Sequence, residues 1–436
     1  MLITILVFII ILSLLVFAHE FGHFITAKRM GVEVEEFGFG FPPRLFGIQR
    51  FSGKKIKKIT ERENVEVDIA DYRLGGGKEF LREKIIDRVE EIDQVIPIKK
   101  WRFIRSSKDT QKVENLKGGT IYSLNWIPLG GFVKIKGEQG ESKKDRDSFA
   151  NKKIWQRLII LSSGVAMNLI LAFILISIGF SLGLPSIIDE NSSSHAKIKE
   201  VKVQVLEVSK NSPAEKAELK MGDIIVSVDN KYISKIKDFQ DYTGNKIGTQ
   251  ISLNIKRGNE EVQKTLIPED LNNNGQGIIG VWLAQTGLIS YPLPQAIWIG
   301  FKTTLSVIWQ IIVAFFEILK NLIVSHKVST DIAGPVGIAV LTGQVTKMGF
   351  IYILQFVSLL SINLAIINFI PFPALDGGRV LFLIIEKIRG KAVDRKIESL
   401  VHNIGFIVLI LLVIIVTFRD ISQFGTNIRN FFQSIF

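Results

Sequence analysis

Four long apolar blocks punctuate the chain, at residues 2–18, 158–188, 348–375 and 399–418, and charged or alternating stretches separate them. A helix needs about 20 mostly apolar residues to cross the hydrocarbon core of a bilayer. The pattern therefore predicts a polytopic α-helical membrane protein with about four transmembrane helices, at 1–28, 155–184, 351–385 and 401–418, and a tail at 419–436. Residues 296–324 are also apolar but carry Lys302, Glu317 and Lys320, so they predict an amphipathic helix on the bilayer surface rather than a fifth span. Between 186 and 270 the pattern changes. VKVQVLEV (201–208) alternates as a half-buried strand does. SPAEKAELKMGDIIVSVDN (212–230) predicts a short helix capped by Ser212, a turn at Met221-Gly222-Asp223 and a strand. QISLNIKRGNEEVQKTLIP (250–268) predicts a hairpin turning at Arg257-Gly258-Asn259. These segments make a small α+β domain inserted between spans, with 271–350 supplying a linker and the amphipathic helix.

The region 29–154 is less regular. FGFGFPPRLFG (37–47) excludes a helix and predicts a turn or strand edge. TIYSLNWIPLGGFVKIKGE (120–138) predicts a β-hairpin of two short strands around Pro-Leu-Gly-Gly. An edge there, with Gly130, Gly131, Phe132 and Val133, is a candidate to bind an unwound peptide by strand addition. The mixed-charge insertion 51–119 has no legible role.

Charge supplies orientation. The chain carries 54 Lys+Arg against 42 Asp+Glu. Residues 25–157 hold 29 basic and 20 acidic side chains, 386–398 hold 5 and 3, and 184–295 hold 13 and 14. Basic excess on alternate sides of the apolar blocks follows the positive-inside rule. It places 29–154 and 386–400 in the cytoplasm, and the inserted domain and both termini outside. The positive charge is thus a topology signal, and no nucleic-acid partner is expected. The N-terminal block lacks a basic leader and a small-x-small cleavage site, which favours a retained helix over a signal peptide.

There is no cysteine, so disulfides, thiol nucleophiles and Cys-ligated metals are excluded. His19-Glu20-Phe21-Gly22-His23 ends the first apolar block. Histidines four apart share a helix face and reach one cation, and Glu20 is placed to take a proton from water. Ionisable groups at membrane depth are costly and call for a function. A catalytic zinc takes three protein ligands. His195, His326 and His402 stand alone and read as surface or interface residues, which leaves Asp376 in NFIPFPALDGGR (368–379) as the outstanding third ligand. Pro371 and Pro373 break the helix there, so Asp376 is expected on an extended segment able to bend inward. A simple Asp-Gly-Gly turn closing a span is the alternative for that stretch.

Taken together, HEFGH, NFIPFPALDGG and GPVGIA (334–339) resemble the site-2 family of intramembrane zinc metalloproteases, most nearly its bacterial RseP-type branch. GVAMN (164–168) is similar to that family's small-residue motif in the second span, PLGGFVKIKGE to its membrane-associated β-hairpin loop, and SPAEKAELKMGDIIVSVD to the start of its PDZ domain. The resemblance implies one zinc ion at His19, His23 and Asp376, Glu20 as general base, and Asn368 as a contact to substrate backbone, with Pro371 and Pro373 beside it. It implies regulated proteolysis of single-span membrane proteins in the bilayer of the cytoplasmic membrane, with the active site near the cytoplasmic side and the PDZ-like domain outside. That domain would bind a peptide terminus or, as its missing Gly-Leu-Gly-Phe loop favours, act as a size-selective gate. A non-catalytic PDZ scaffold is the rival reading, and it predicts a function indifferent to Glu20. A metal transporter ranks last, because Asn168, Asn363 and Asn368 are too few to line a pathway.

Overall fold

The computed structural model describes residues 2–64, 87–104, 116–188, 196–258, 260–270, 275–325 and 334–433. Two units emerge: Ala27–Asn151, and Met1–Thr26 together with Lys152–Phe436.

The chain opens on α1 (Leu2–Arg29), an apolar helix that carries HEFGH in its last third. The Ala27–Asn151 unit is built on β1 (Val34–Asn64), β2 (Asp87–Ile104) and β3 (Leu116–Ile135), in the order β2-β1-β3. The arms expected around Pro-Leu-Gly-Gly both form, yet they do not pair with each other. Residues 36–39 stand between them: Phe37 faces Val133 on one side and Tyr122 on the other, and Gly38 faces Phe132 and Ser123. The chain then folds back, so that Phe46, Gly47 and Ile48 return along Leu124, Ser123 and Tyr122. Pro42 and Pro43 fall where the register breaks, between the Phe41–Ile127 and Arg44–Asn125 pairs, a place that needs no proline amide. Residues 51–64 and 87–104 of the insertion are strands, paired from Gly47–Ile104 to Asn64–Asp87, although their weak periodicity predicts no element. The remainder of 51–119 up to Leu116 lies outside the described residues. Ile104, Ile121 and Ile135 are buried, whereas Trp101, Phe103, Tyr122 and Trp126 are exposed.

The second unit continues through α2 (Ile154–Leu182), β4 (Leu184–Ile187), β5 (Lys197–Val208), α3 (Pro213–Lys216), β6 (Ile224–Val228), β7 (Lys231–Tyr232), α4 (Ile236–Gly244), β8 (Ile251–Arg257), β9 (Glu260–Leu266) and β10 (Val281–Ser290). The helices α5 (Leu293–Ser325), α6 (Pro335–Met348), α7 (Phe350–Phe369), α8 (Asp376–Arg389) and α9 (Arg395–Gln433) follow. The strands form one sheet, ordered β4-β10-β5-β6-β8-β9 with β7 against β6. The Ser212 hydroxyl accepts from the Glu215 amide and caps α3 as expected. Val203, Val205, Ile225, Phe239, Leu253 and Ile255 are buried together beneath the sheet. Full burial of each such side chain stabilises the fold by about 1.5–3 kcal/mol.

Three boundaries need correction. The inserted domain does not end at 270 with a linker after it: β10 pairs with β5 from Val281–Val208 to Ser290–Lys197, and with β4 beyond. VWLAQTGLIS has the mixed burial of a strand, obscured in the sequence by the glycines before it. The third expected span, 351–385, is two helices, because the two prolines divide α7 from α8. The last helix begins before 401 and runs through the expected tail as far as Gln433.

Among the described residues five helices are long and apolar enough to cross a membrane, and Leu293–Asn321, expected as an amphipathic surface helix, is one of them. The three charges there do not interrupt α5, and Lys302 lies 5.1 Å above the Trp298 ring. α5 packs on α2, where Ala172, Ile176 and Phe180 meet Ala296 and Ile362. A second cluster joins Ile11 and Leu15 of α1 to Val357 of α7. α6 is held at its start by α9: the Gly334 and Gly337 amides donate to the buried Asp420 carboxylate at 3.1 and 2.7 Å. Each amide left unpaired there would cost about 1–3 kcal/mol, which gives GPVGIA a structural purpose.

Candidate metal centre

His19 and His23 sit one turn apart on α1, both 7% exposed, with ring centroids 4.9 Å apart and planes at 76°. The Nε2 atoms of the pair lie 3.2 Å from each other. Asp376 Oδ2 completes a triangle at 2.9 Å from His19 Nε2 and 3.2 Å from His23 Nε2. Among the described residues these three form the cluster able to hold a metal ion. Tetrahedral zinc with ligand bonds of 2.0–2.2 Å sets its ligand atoms about 3.3 Å apart. Two imidazole nitrogens and a carboxylate oxygen, aimed at one point at these separations, fit that ion.

The carboxylate reaches this point through a designed break. α7 ends at Phe369, and 370–375 link it to α8 with Ala374 at φ 79°. Asp376 is the first residue of α8, not part of an extended segment, because Leu375 already serves as the N-cap. Gly377 and Gly378 are required by close approach: an added Cβ would stand 2.3 Å from the Ile370 carbonyl oxygen in one case and 2.3 Å from that of Phe372 in the other. LDGG is thus a helix start pressed onto its own preceding loop. From the far side, His402 Nδ1 accepts from the Ala374 amide at 2.9 Å, so of the surface and interface roles expected for this histidine it takes the second, as a support for the loop. His195 and His326 lie outside the described residues.

α2 covers the histidine pair with one stripe at positions 160, 164 and 168. The Ile160 carbonyl accepts from His23 Nδ1 at 2.8 Å. That bond needs a proton on Nδ1, the tautomer in which Nε2 is available to an ion. Gly164 provides room: a Cβ there would meet His23 Nε2 at 2.4 Å and His19 Nε2 at 2.7 Å. Asn168, fully buried, stands 3.4 Å from His19 Nδ1 through its Nδ2 atom.

The other expected residues distribute as follows. Glu20 is half-buried on α1 between the histidines. Asn368 is half-buried on the last turn of α7, with Pro371 exposed and Pro373 half-buried after it. Gly130, Gly131, Phe132 and Val133 belong to β3 in the other unit. The sequence reading missed Gly164 as a spacer, Ile160 as an acceptor and His402 as a support. A glycine and an asparagine four apart within an apolar block were visible signals; a backbone carbonyl has none.

Gly164→Ala places a methyl group against both imidazoles. Zinc bound per chain after purification is expected to fall by more than half, and retention of a full equivalent would show that the pair can retreat.

Comparisons with known proteins identify the family. The family model described as Peptidase family M50 matches residues 7–57 and 110–412. A Clostridium perfringens protein is 32% identical over 411 residues, covering 94% of this chain and 96% of that protein. The regulator of sigma-W protease RasP of Bacillus subtilis is 29% identical over 443 residues, covering 96% and 98%. The PDZ domain of an SdrC-like protein from Listeria monocytogenes aligns at 27% identity and TM-score 0.19, over 20% of this chain and 92% of that one. With the family match spanning both halves of the cluster and the relatives running nearly end to end, the chain belongs to Peptidase family M50.

Proposed function

We propose that this multi-pass membrane protein is an intramembrane zinc metalloprotease that hydrolyses peptide bonds in or near the transmembrane segment of single-span proteins. The convergence of His19, His23 and Asp376 from segments more than 350 residues apart carries the reading. His19, His23 and Asp376 would hold a zinc ion, which when bound would acidify a water to about pKa 7 and polarise the scissile carbonyl. Glu20 takes the proton of the attacking water and delivers it to the leaving amine. Asn368 offers its side-chain amide to substrate backbone, beside Pro371 and Pro373. A substrate helix keeps its carbonyls in its own hydrogen bonds and unwinds before it is cut.

The segment 130–133 is the proposed receiver of the unwound stretch. β3 stands last in the strand order, and 131–134 runs extended against 36–39. The exposed Trp101, Phe103, Tyr122 and Trp126 support seating this sheet at the lipid headgroups, where aromatic side chains concentrate. The basic excess of 25–157 and 386–398 supports a cytoplasmic location for these parts and the active site, with the domain of β4 to β10 outside. The membrane is then the cell's cytoplasmic one.

Glu20→Gln is expected to keep one zinc per chain and lose at least 100-fold in cleavage of a model single-span substrate. Cleavage that persists in the variant and in chelator-treated protein would return the chain to the scaffold reading. Val133→Pro is expected to reduce cleavage severalfold at constant zinc content and unchanged far-ultraviolet dichroism. Normal turnover in that variant would remove strand addition from the account.

A further inference from the structure

We propose that Asn168 is a positioning residue that selects the metal-binding tautomer of His19, as the Ile160 carbonyl does for His23. The inference rests on the metal reading above. The two imidazoles face the same demand. A cation on Nε2 takes the lone pair there, so the ring proton resides on Nδ1, and an N–H donor buried among apolar helices needs an acceptor. His23 meets the demand through the Ile160 carbonyl at 2.8 Å. The atom facing His19 Nδ1 is Asn168 Nδ2, 3.4 Å away, while Asn168 Oδ1 is buried with no hydrogen-bond partner among the described residues.

An amide nitrogen donating to Nδ1 holds the opposite tautomer, with the proton on Nε2. That proton points at Asp376 Oδ2, 2.9 Å away, which is a satisfactory arrangement for an ion-free cluster. A half-turn of the amide about its terminal torsion exchanges Oδ1 and Nδ2 at nearly constant shape. Oδ1 then accepts from Nδ1–H, and His19 Nε2 is left free for the ion. With Oδ1 turned to the ring, Asn168 gains its missing partner and favours the Nδ1–H tautomer, as the Ile160 carbonyl does at His23.

The surroundings preserve the placement. Asn168 is fully buried, and the Ser361 hydroxyl of α7 donates to its backbone carbonyl at 2.7 Å, so α2 is pinned at this residue. Gly164, one turn earlier on the same face, keeps the imidazoles close enough for the amide to reach. The pairing of glycine and asparagine at this spacing in GVAMN follows from two needs of one histidine pair: space and an acceptor.

The test is zinc affinity of the full-length chain in detergent, measured by competition with a chromophoric chelator, for wild type, Asn168→Leu, Asn168→Asp and His19→Ala. Asn168→Leu keeps the size and removes the acceptor, and its affinity should drop about 10–100-fold. Asn168→Asp keeps an acceptor oxygen and should stay within about threefold of wild type. Should the leucine variant fail to fold, Asn168→Ala takes its place. Thermal unfolding of the zinc-free proteins separates packing from positioning: a merely structural Asn168 would lower the melting temperature and leave affinity unchanged. Wild-type affinity in the leucine or alanine variant overturns the proposal, and so does an aspartate variant as weak as leucine. Undiminished zinc binding by His19→Ala would instead reject the underlying metal site, a result distinct from either.

Discussion

Three side-chain atoms able to hold one metal ion, His19 Nε2, His23 Nε2 and Asp376 Oδ2, face one another among the apolar helices, and the packing around them follows from that approach. Imidazole and carboxylate groups are expensive to remove from water unless each is partnered. Here each finds partners that also aim it. α1 supplies the histidines at helical spacing, the break between α7 and α8 supplies Asp376, and α2 supplies the surface against which both are set. The site is therefore a three-helix junction, and its precision comes from rigid elements rather than from a flexible loop.

The roles of the individual motifs follow from that junction. HEFGH combines two ligands with the carboxylate of Glu20 in five residues, because a helix repeats its face every turn. NFIPFPALDGG ends one helix with proline and begins another with Asp376, and its glycines let the new helix lie directly on the carbonyls before it. His402 of α9 holds the same link through the Ala374 amide. Asp420, farther along α9, anchors α6 through the amides of Gly334 and Gly337. The last helix, which carries none of the ligands, thus supports the cluster and the GPVGIA helix by separate contacts.

The site was more legible in the sequence than the fold around it. His19, Glu20 and His23 announce themselves because ionisable residues are rare in apolar blocks, and Asp376 because proline and glycine mark a break at the right depth. What the sequence concealed was tertiary. The carbonyl of Ile160 and the empty space at Gly164 carry no side-chain signal. β10 reads as part of a linker because Gly275, Gly277 and Gly280 precede it, although its pairing with β5 is extensive. The β1–β3 register was hidden because 36–39 insert between two arms that local pattern would pair directly. The three charges of α5 point to the bilayer surface, and its length equals that of other candidate spans while its mean hydropathy, 1.6 against 2.2–2.8, is the lowest among them.

X-ray absorption at the zinc edge of the purified, metal-loaded chain tests the central claim most directly. The account predicts four nitrogen or oxygen ligands at about 2.0–2.1 Å, with outer-shell scattering from two imidazoles. It further predicts that Asp376→Ala removes one oxygen while both imidazoles remain. A spectrum with fewer than two imidazoles, or one that Asp376→Ala leaves unchanged, would contradict it.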